Sequence, residues 1–454
     1  MQKLLPLLFP FFLLTSSLQL QQFTLLTLTS QSVHQNQVTN QSNFSLPIYH
    51  ISSFSNHTNN TSTFADRIHR DSARVASLAH DLSLPLDRYK LTDFGSDVVS
   101  GLSQGSGEYF IRVGVGTPAR EQYLVIDSGS DVIWLQCIPC DQCYSQSDAI
   151  FDPSTSASFS AVTCGSRVCH LVSGTNCGSS DESCGYMYEV SYRDGSYSKG
   201  VVALETLTFG STAVSGVAIG CGHRNHGLFT GAAGLLGLGW GPTSFLTQLG
   251  GSAGGVFSYC LASRGSSSEA GSLIFGRTEG VPVGAVWVPL LHNPRAPSFY
   301  YVGLLGLGVA GVRLPLEEDM FQLSEDGYGG VVMDTGTAVT RLPQQAYSTL
   351  RDGFIAAAVG LPRTSGVSIF DTCYDLNGYS SVRVPTVSFY FTEGAILTLP
   401  ARNFLIPVDN SGTFCFAFAP SPTGLSIMGN IQQEGIQITF DVANGFVGFG
   451  PNTC

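Results

Sequence analysis

A chain of 454 residues in which 12% of side chains are charged and 43% are hydrophobic exceeds what one core usually holds and is far too apolar to stay disordered, so two lobes are expected. Its net charge of −12 is unevenly placed: residues 1–105 hold six basic and six acidic side chains, so the remainder carries the whole excess, with Lys199 its single lysine. An acidic body offers no surface that releases counterions from phosphates, which excludes nucleic acid as the natural partner.

The chain opens with Lys3, an apolar run from Leu4 to Leu14 and the small polar residues Thr15, Ser16 and Ser17. That is the order of a secretory signal, expected over residues 1–22. Pro6 and Pro10 interrupt the run, which falls short of the ~20 apolar residues of a membrane-spanning helix, so no membrane span is expected in the mature form. Residues 23–105 are rich in Gln, Asn, Ser and Thr and hold no cysteine. Asn40, Asn43, Asn56, Asn59 and Asn60 all stand in glycosylation sequons. Within "RIHRDSARVASLAHDL", Ile68, Val75, Leu78 and Leu82 recur at helical spacing, with Arg67, Arg70 and Arg74 nearby. A neutral, partly helical, basic-faced leader ahead of an acidic body reads as a propeptide, removed at a junction within "DFGSDVVSGLSQGSGEY"; the plainer reading is a solvated helix in a linker.

From about residue 106, short Val/Ile/Thr/Phe/Tyr runs broken by Gly, Ser and Pro describe a predominantly β body. In "YLVIDSGSDVIWLQC" (residues 123–137) the run Tyr123–Ile126 leads into Asp127, Ser128, Gly129 and Ser130, and a second apolar run ends at Trp134. A carboxylate at the end of a buried strand is costly unless something needs it there. "CIPCDQC" (137–143) resembles a metal or redox cluster. However, all twelve cysteines follow residue 136, and an even count in an exported chain favours disulfides, whose pairing spacing alone leaves open. "SYRDGSYSKG" (191–200) places Tyr192 before the hairpin signal Asp194-Gly195, with Ser196 next. "CGHRNHG" (221–227) offers Cys221, His223 and His226, too few ligands for a zinc site. "GLGWG" (237–241) lacks the context of a dinucleotide loop and reads as close β packing. No metal and no cofactor is expected.

The opening pattern then recurs. In "VVMDTGTAVTRLP" (331–343), Val331–Met333 lead into Asp334, Thr335, Gly336 and Thr337. A second pair accompanies it: "GLLGLG" at 234–239 and "LSIMGN" at 425–430, each an apolar pair followed by a glycine, Gly237 and Gly429. One Asp-hydroxyl-Gly is a common accident; two copies on matching apolar runs, each with its downstream glycine, are not.

These motifs, with "GSGEYFIRVGVGTP" at the start and "IQQEGIQITFDVANGFVGFGP" at the end, resemble the pepsin-type aspartic proteases, specifically the plant group with a cysteine-rich N-terminal lobe that includes the nepenthesin-like enzymes. The resemblance covers about residues 106–454. It implies an all-β, bilobal fold with a cleft between the lobes: an N-terminal lobe over 106–290 with a cysteine-rich insertion, and a C-terminal lobe over 291–454. It implies Asp127 and Asp334 as the catalytic pair. Ser128 and Thr335 would bond across the lobes, and Ser130 and Thr337 would each bond a carboxylate. Ser128 stands where threonine is commoner, and the hydroxyl is kept. Tyr192 matches the flap tyrosine over the cleft, flanked by Gly195 and Ser196, and Trp134 the tryptophan that bonds it; without their offset from the motif each reads as an ordinary core aromatic. The family's pairing suggests the disulfides Cys137–Cys140, Cys143–Cys221, Cys164–Cys184, Cys169–Cys177, Cys260–Cys454 and Cys373–Cys415.

Peptide hydrolysis without a metal or covalent nucleophile needs a base to activate water and an acid to protonate the carbonyl oxygen and leaving nitrogen. Two adjacent carboxylates supply both, because they cannot both ionise. The expected activity is therefore that of a secreted acid endopeptidase acting on polypeptides. It would be monomeric, held inactive by its own propeptide, and delivered to the apoplast or, alternatively, the vacuole. The rival is a non-catalytic binder on the same scaffold, like the plant xylanase-inhibitor proteins, whose dyad has decayed; here both motifs are intact.

Overall fold

The computed structural model describes residues 19–24, 45–50, six positions between 68 and 78, and most of 109–450. The protein is mostly β, and its two halves repeat one arrangement. In the first half, strand Arg120–Asp127 lies parallel to Gly234–Gly237, with Asp127 opposite Gly237. Strand Trp134–Gln136 pairs parallel with Thr212–His226 and antiparallel with Gly234–Gly237. In the second half, Val331–Met333 lies parallel to Ser426–Met428. Thr340–Leu342 pairs parallel with Phe418–Pro420 and antiparallel at Ile427. The sequence repeat is thus a structural repeat in which an Asp-bearing strand is flanked by the strand carrying the apolar pair and glycine.

These strands are buried on both faces, which is why they read as unbroken apolar runs rather than alternating ones. Leu124, Val125 and Ile126 are fully buried, as are Val332 and Met333. The halves are joined underneath by a shared platform. Val256–Cys260 pairs with Gln437–Asp441, and Val286–Leu291 with Phe446–Phe449. Phe257 stacks on Phe440 at 4.9 Å, and Tyr300 meets the same ring at 4.5 Å. Helix Gln344–Ala357 covers the second half, turning Ala346, Tyr347, Leu350 and Phe354 inward at helical spacing.

The leader is woven into this architecture. Strand Ser45–His50 lies between Tyr109–Val115 and Gly271–Phe275, and strand Leu20–Thr24 pairs antiparallel with Ser381–Pro385. The ring of Phe23 meets Phe414 edge-on at 5.8 Å. Leu20–Thr24 straddles the boundary expected between signal and leader.

The cysteines require a correction. Cys137 pairs with Cys221, and Cys140 with Cys143, rather than Cys137–Cys140 and Cys143–Cys221. The cause is strand register: Leu135 lies beside Cys221 in the parallel pairing, so the chain leaving that strand brings Cys137 to a Cα distance of 5.4 Å from Cys221. Cys140 and Cys143 then close a local loop. Cys373–Cys415 joins directly opposed residues of two antiparallel strands. Cys164, Cys169 and Cys260 are also disulfide-bonded, whereas Cys177, Cys184 and Cys454, their expected partners, lie outside the described residues, as do all five glycosylation asparagines. Non-reducing peptide mapping is expected to recover Cys137–Cys221 and Cys140–Cys143. Replacing both Cys373 and Cys415 by alanine should lower unfolding free energy by about 4 kcal/mol, the chain-entropy value for a loop of this size, checked by denaturant titration.

Candidate active site

Each motif places its aspartate at the end of a buried strand and then turns sharply. Gly129 N–H donates to Asp127 Oδ1 at 3.0 Å and Gly336 N–H to Asp334 Oδ1 at 2.9 Å. Ser130 Oγ donates to Asp127 Oδ2 at 2.6 Å, and Thr337 Oγ1 to Asp334 Oδ2 at 2.5 Å. The glycines answer to close approach across the lobes. A Cβ on Gly129 would lie 2.6 Å from Asp334 Oδ1, and one on Gly336 2.7 Å from Asp127 Oδ1. Each glycine makes room for the opposite carboxylate.

The two loops are tied by a reciprocal set of bonds. Ser128 N–H donates to Thr335 Oγ1 and Thr335 N–H to Ser128 Oγ, both at 3.0 Å. The Thr335 hydroxyl donates to the Ile126 carbonyl at 3.1 Å, and that of Ser128 to the Met333 carbonyl at 3.4 Å. All these groups are buried, and each hydroxyl both accepts from and donates to the backbone of the opposite lobe.

Both carboxylates are fully buried. Burial pushes the Asp334 carboxyl above its ordinary range; the charge of Arg74 opposes this and that of Asp127 adds to it. Arg74 enters the cleft from the leader. Its Nη2 lies 2.6 Å from Asp127 Oδ1 and 3.3 Å from Asp334 Oδ1, and its Nε 3.3 Å from Asp334 Oδ2. One planar guanidinium therefore spans both acids. On the same helical segment Val75 and Leu78 pack among Phe299, Tyr301, Val332 and Ile427, and Ile68 among Ala338, Val339, Phe370 and Ile431. Asp71 accepts from the N–H groups of Ala338 and Val339 and from Arg341.

Trp134 lies in a buried cluster with Tyr188 and Phe229, its ring edge-on to Phe229 at 5.0 Å. Ser196 is buried at the start of the long strand Tyr197–Phe209. Tyr192 and Gly195 lie outside the described residues. Cys221 is committed to its disulfide, and His223 Nδ1 lies 2.7 Å from the Pro139 carbonyl oxygen. Arg74 was legible only as part of a basic face, and Asp71 not at all; the available signal was that both fall inside an apolar helical stripe.

Asp131 was also missed. It is four residues past Asp127, and its carboxylate accepts from Gly241 N–H at 2.9 Å and from Ser298 Oγ at 2.5 Å. Burial pushes its carboxyl upward, these two donors oppose that, and the charge of Asp127 adds to it. Side chains at Gly237, Gly239 or Gly241 would each collide with Asp131. The glycine-rich "GLGWG" is therefore the cradle of this residue.

Two hydroxyl-flanked aspartates, contributed one each by two related β lobes and locked by reciprocal Ser/Thr bonds, define a pepsin-like aspartic protease. Residues 109–277 match the family model described as xylanase inhibitor N-terminal, and residues 299–451 that described as xylanase inhibitor C-terminal. The chain is 65% identical to ASPARTIC PROTEASE IN GUARD CELL 2 of Arabidopsis thaliana, over 86% of this chain and 82% of that one. It is 40% identical to aspartic proteinase nepenthesin-2 of Nepenthes gracilis, over 79% of this chain and 81% of that one. The crystal structure of edgp superposes with a TM-score of 0.63 at 20% identity, covering 78% of this chain and 93% of that one, which shows the fold alone. This chain belongs to the pepsin-like aspartic protease family and is an aspartic-type endopeptidase.

Removing the Thr335 hydroxyl leaves the buried Ser128 N–H without its acceptor. Thr335→Ala is expected to cost about 1–3 kcal/mol of stability, read from denaturant titration, while Thr335→Ser keeps the hydroxyl and most of the stability.

Proposed function

We propose that Asp127 and Asp334 are the acid–base pair of an endopeptidase that works in acid and is kept latent by its own leader. The observation that carries this reading is the single arginine bridging both carboxylates. A site that a cation must neutralise is one built to hold two acids at the distance of a shared proton. The charged acid of the pair takes a proton from water as that water attacks the scissile carbonyl carbon, and the protonated acid gives its proton to the carbonyl oxygen. Collapse of the tetrahedral species returns a proton to the leaving nitrogen and breaks the C–N bond. Ser130 and Thr337 orient the carboxylates, and Gly129 and Gly336 supply fixed N–H donors to them, so little reorganisation is needed during the reaction.

Latency follows from electrostatics. The charge of Arg74 favours the carboxylate form of Asp334, so this ion pair holds the leader where Asp334 is charged, and its contribution is lost as pH falls through the titration of Asp334. Burial already sets Asp334 above the ordinary carboxylate range, so release begins in milder acid than an exposed carboxylate would require. A polypeptide substrate then replaces the leader. The location we favour is outside the cytosol, on the secretory route. The signal-like N-terminus and the oxidised cysteines support it: among the described residues no cysteine is free, and disulfides persist in oxidising compartments. Among those residues no helix is long and apolar enough to cross a membrane.

The matching family models, described as xylanase inhibitor N-terminal and C-terminal, give the rival its weight. The intact hydroxyl-flanked dyad favours catalysis. Asp127→Asn or Asp334→Asn alone should abolish hydrolysis of a denatured protein substrate by the acid-treated chain, since each removes half of a shared pair; undiminished turnover at about pH 4 by either variant would refute the assignment. Arg74→Gln should raise the midpoint pH of leader release by about one unit or more, followed by gel shift across a pH series. An unchanged midpoint would separate Arg74 from latency.

A further inference from the structure

The leader's second contact with the cleft has a chemistry of its own. Asp71 is 4% exposed and its carboxylate meets three donors of the C-terminal lobe. Oδ1 accepts from Ala338 N–H and, at 2.9 Å, from Val339 N–H; Oδ2 accepts from Arg341 Nη2 at 2.7 Å. Ser72 Oγ also accepts from Arg341 Nη2, at 2.9 Å. Arg341 is itself 3% exposed, and its Nε is buried without a hydrogen-bond partner. Among the described residues, Asp71 is the only carboxylate within ion-pair distance of Arg341. Departure of the leader therefore leaves the Arg341 guanidinium without its counter-charge, beside two backbone donors aimed at the same point. A cation and two N–H donors converging on one vacated place favour a replacement anion.

We propose that Arg341 and the N–H groups of Ala338 and Val339 form a carboxylate-binding subsite that selects acidic side chains in the polypeptide substrate, and that Asp71 fills it in the uncleaved chain. This rests on the protease reading above. The position can be bounded. Asp71 and Arg74 are three residues apart on a helix, about 4.5 Å along its axis, and an extended peptide advances ~3.3 Å per residue. The selected acid therefore falls within about two residues of the bond cut. The guanidinium stays charged at all working pH values, whereas a substrate Asp or Glu loses its charge below about pH 4. The preference is present above that range and fades as pH falls through it.

The experiment uses the full-length chain, activated in acid and given a proteome-derived peptide library, with all cut sites identified by mass spectrometry. The expected result is enrichment of Asp and Glu at one fixed position near the cut, stronger at about pH 5 than at about pH 3. A matched pair of peptides carrying Asp or Asn there should differ by roughly 10-fold in kcat/KM, and Arg341→Gln should bring that ratio to about one. The ratio is taken within one preparation, so partial misfolding of the variant cancels; if the variant does not accumulate, the wild-type profile decides. Cutting without acidic enrichment overturns the subsite and leaves the protease reading intact. A chain that cuts nothing overturns the protease reading instead. The subsite is then decided by titrating the acid-treated chain with a synthetic peptide of residues 66–80 and its Asp71→Asn counterpart: at least 10-fold weaker binding of the latter supports it, and equal affinity overturns it.

Discussion

Two carboxylates held together and, with the leader in place, buried from solvent constitute the constraint from which the rest of the structure follows. Each must be desolvated, and each repels the charge of the other. The fold meets the first cost with four short donors, two backbone N–H groups and two hydroxyls, fixed by the turns that follow Asp127 and Asp334. It meets the second by bringing Arg74 of the leader against both. The glycines at 129 and 336 have the same origin, because a methyl group on either would occupy the space of the opposing acid.

Because neither lobe contains the site alone, lobe registration sets how the two carboxylates meet. The Ser128–Thr335 exchange sets it locally, and the platform pairing Val256–Cys260 with Gln437–Asp441 sets it at longer range. Asp131 adds a third tie, reaching from the loop of Asp127 to Ser298 Oγ while holding the Gly241 backbone. The pseudo-repeat is instructive here. The position four residues past Asp334 is Ala338, which has no carboxylate. The backbone N–H of Ala338 donates to Asp71 of the leader.

The leader is accordingly more than a lid. It supplies a strand to the central sheet, a helix to the cleft and a counter-charge to the dyad, and so it stabilises the folded body while obstructing it.

Much of this was legible in the chain itself. Two Asp-hydroxyl-Gly turns on unbroken apolar runs, with Gly237 and Gly429 downstream, specify paired half-sites through local chemistry: strand burial, tight turns and hydroxyl donors are properties of neighbours in sequence. The even cysteine count announced disulfides for the same reason. What the tertiary structure decided were matters of register and of distance. Cys137 faces Cys221 because two parallel strands align Leu135 with Cys221, and a one-residue slip would have changed the partner. Asp71 and Arg74 looked like ordinary charges on a solvated helix; only docking, more than 250 residues away in sequence, buries them against Arg341 and Asp334. Side-chain pairing across such separations leaves no periodic trace in a single sequence, because each partner's local environment constrains it no more than solvent would.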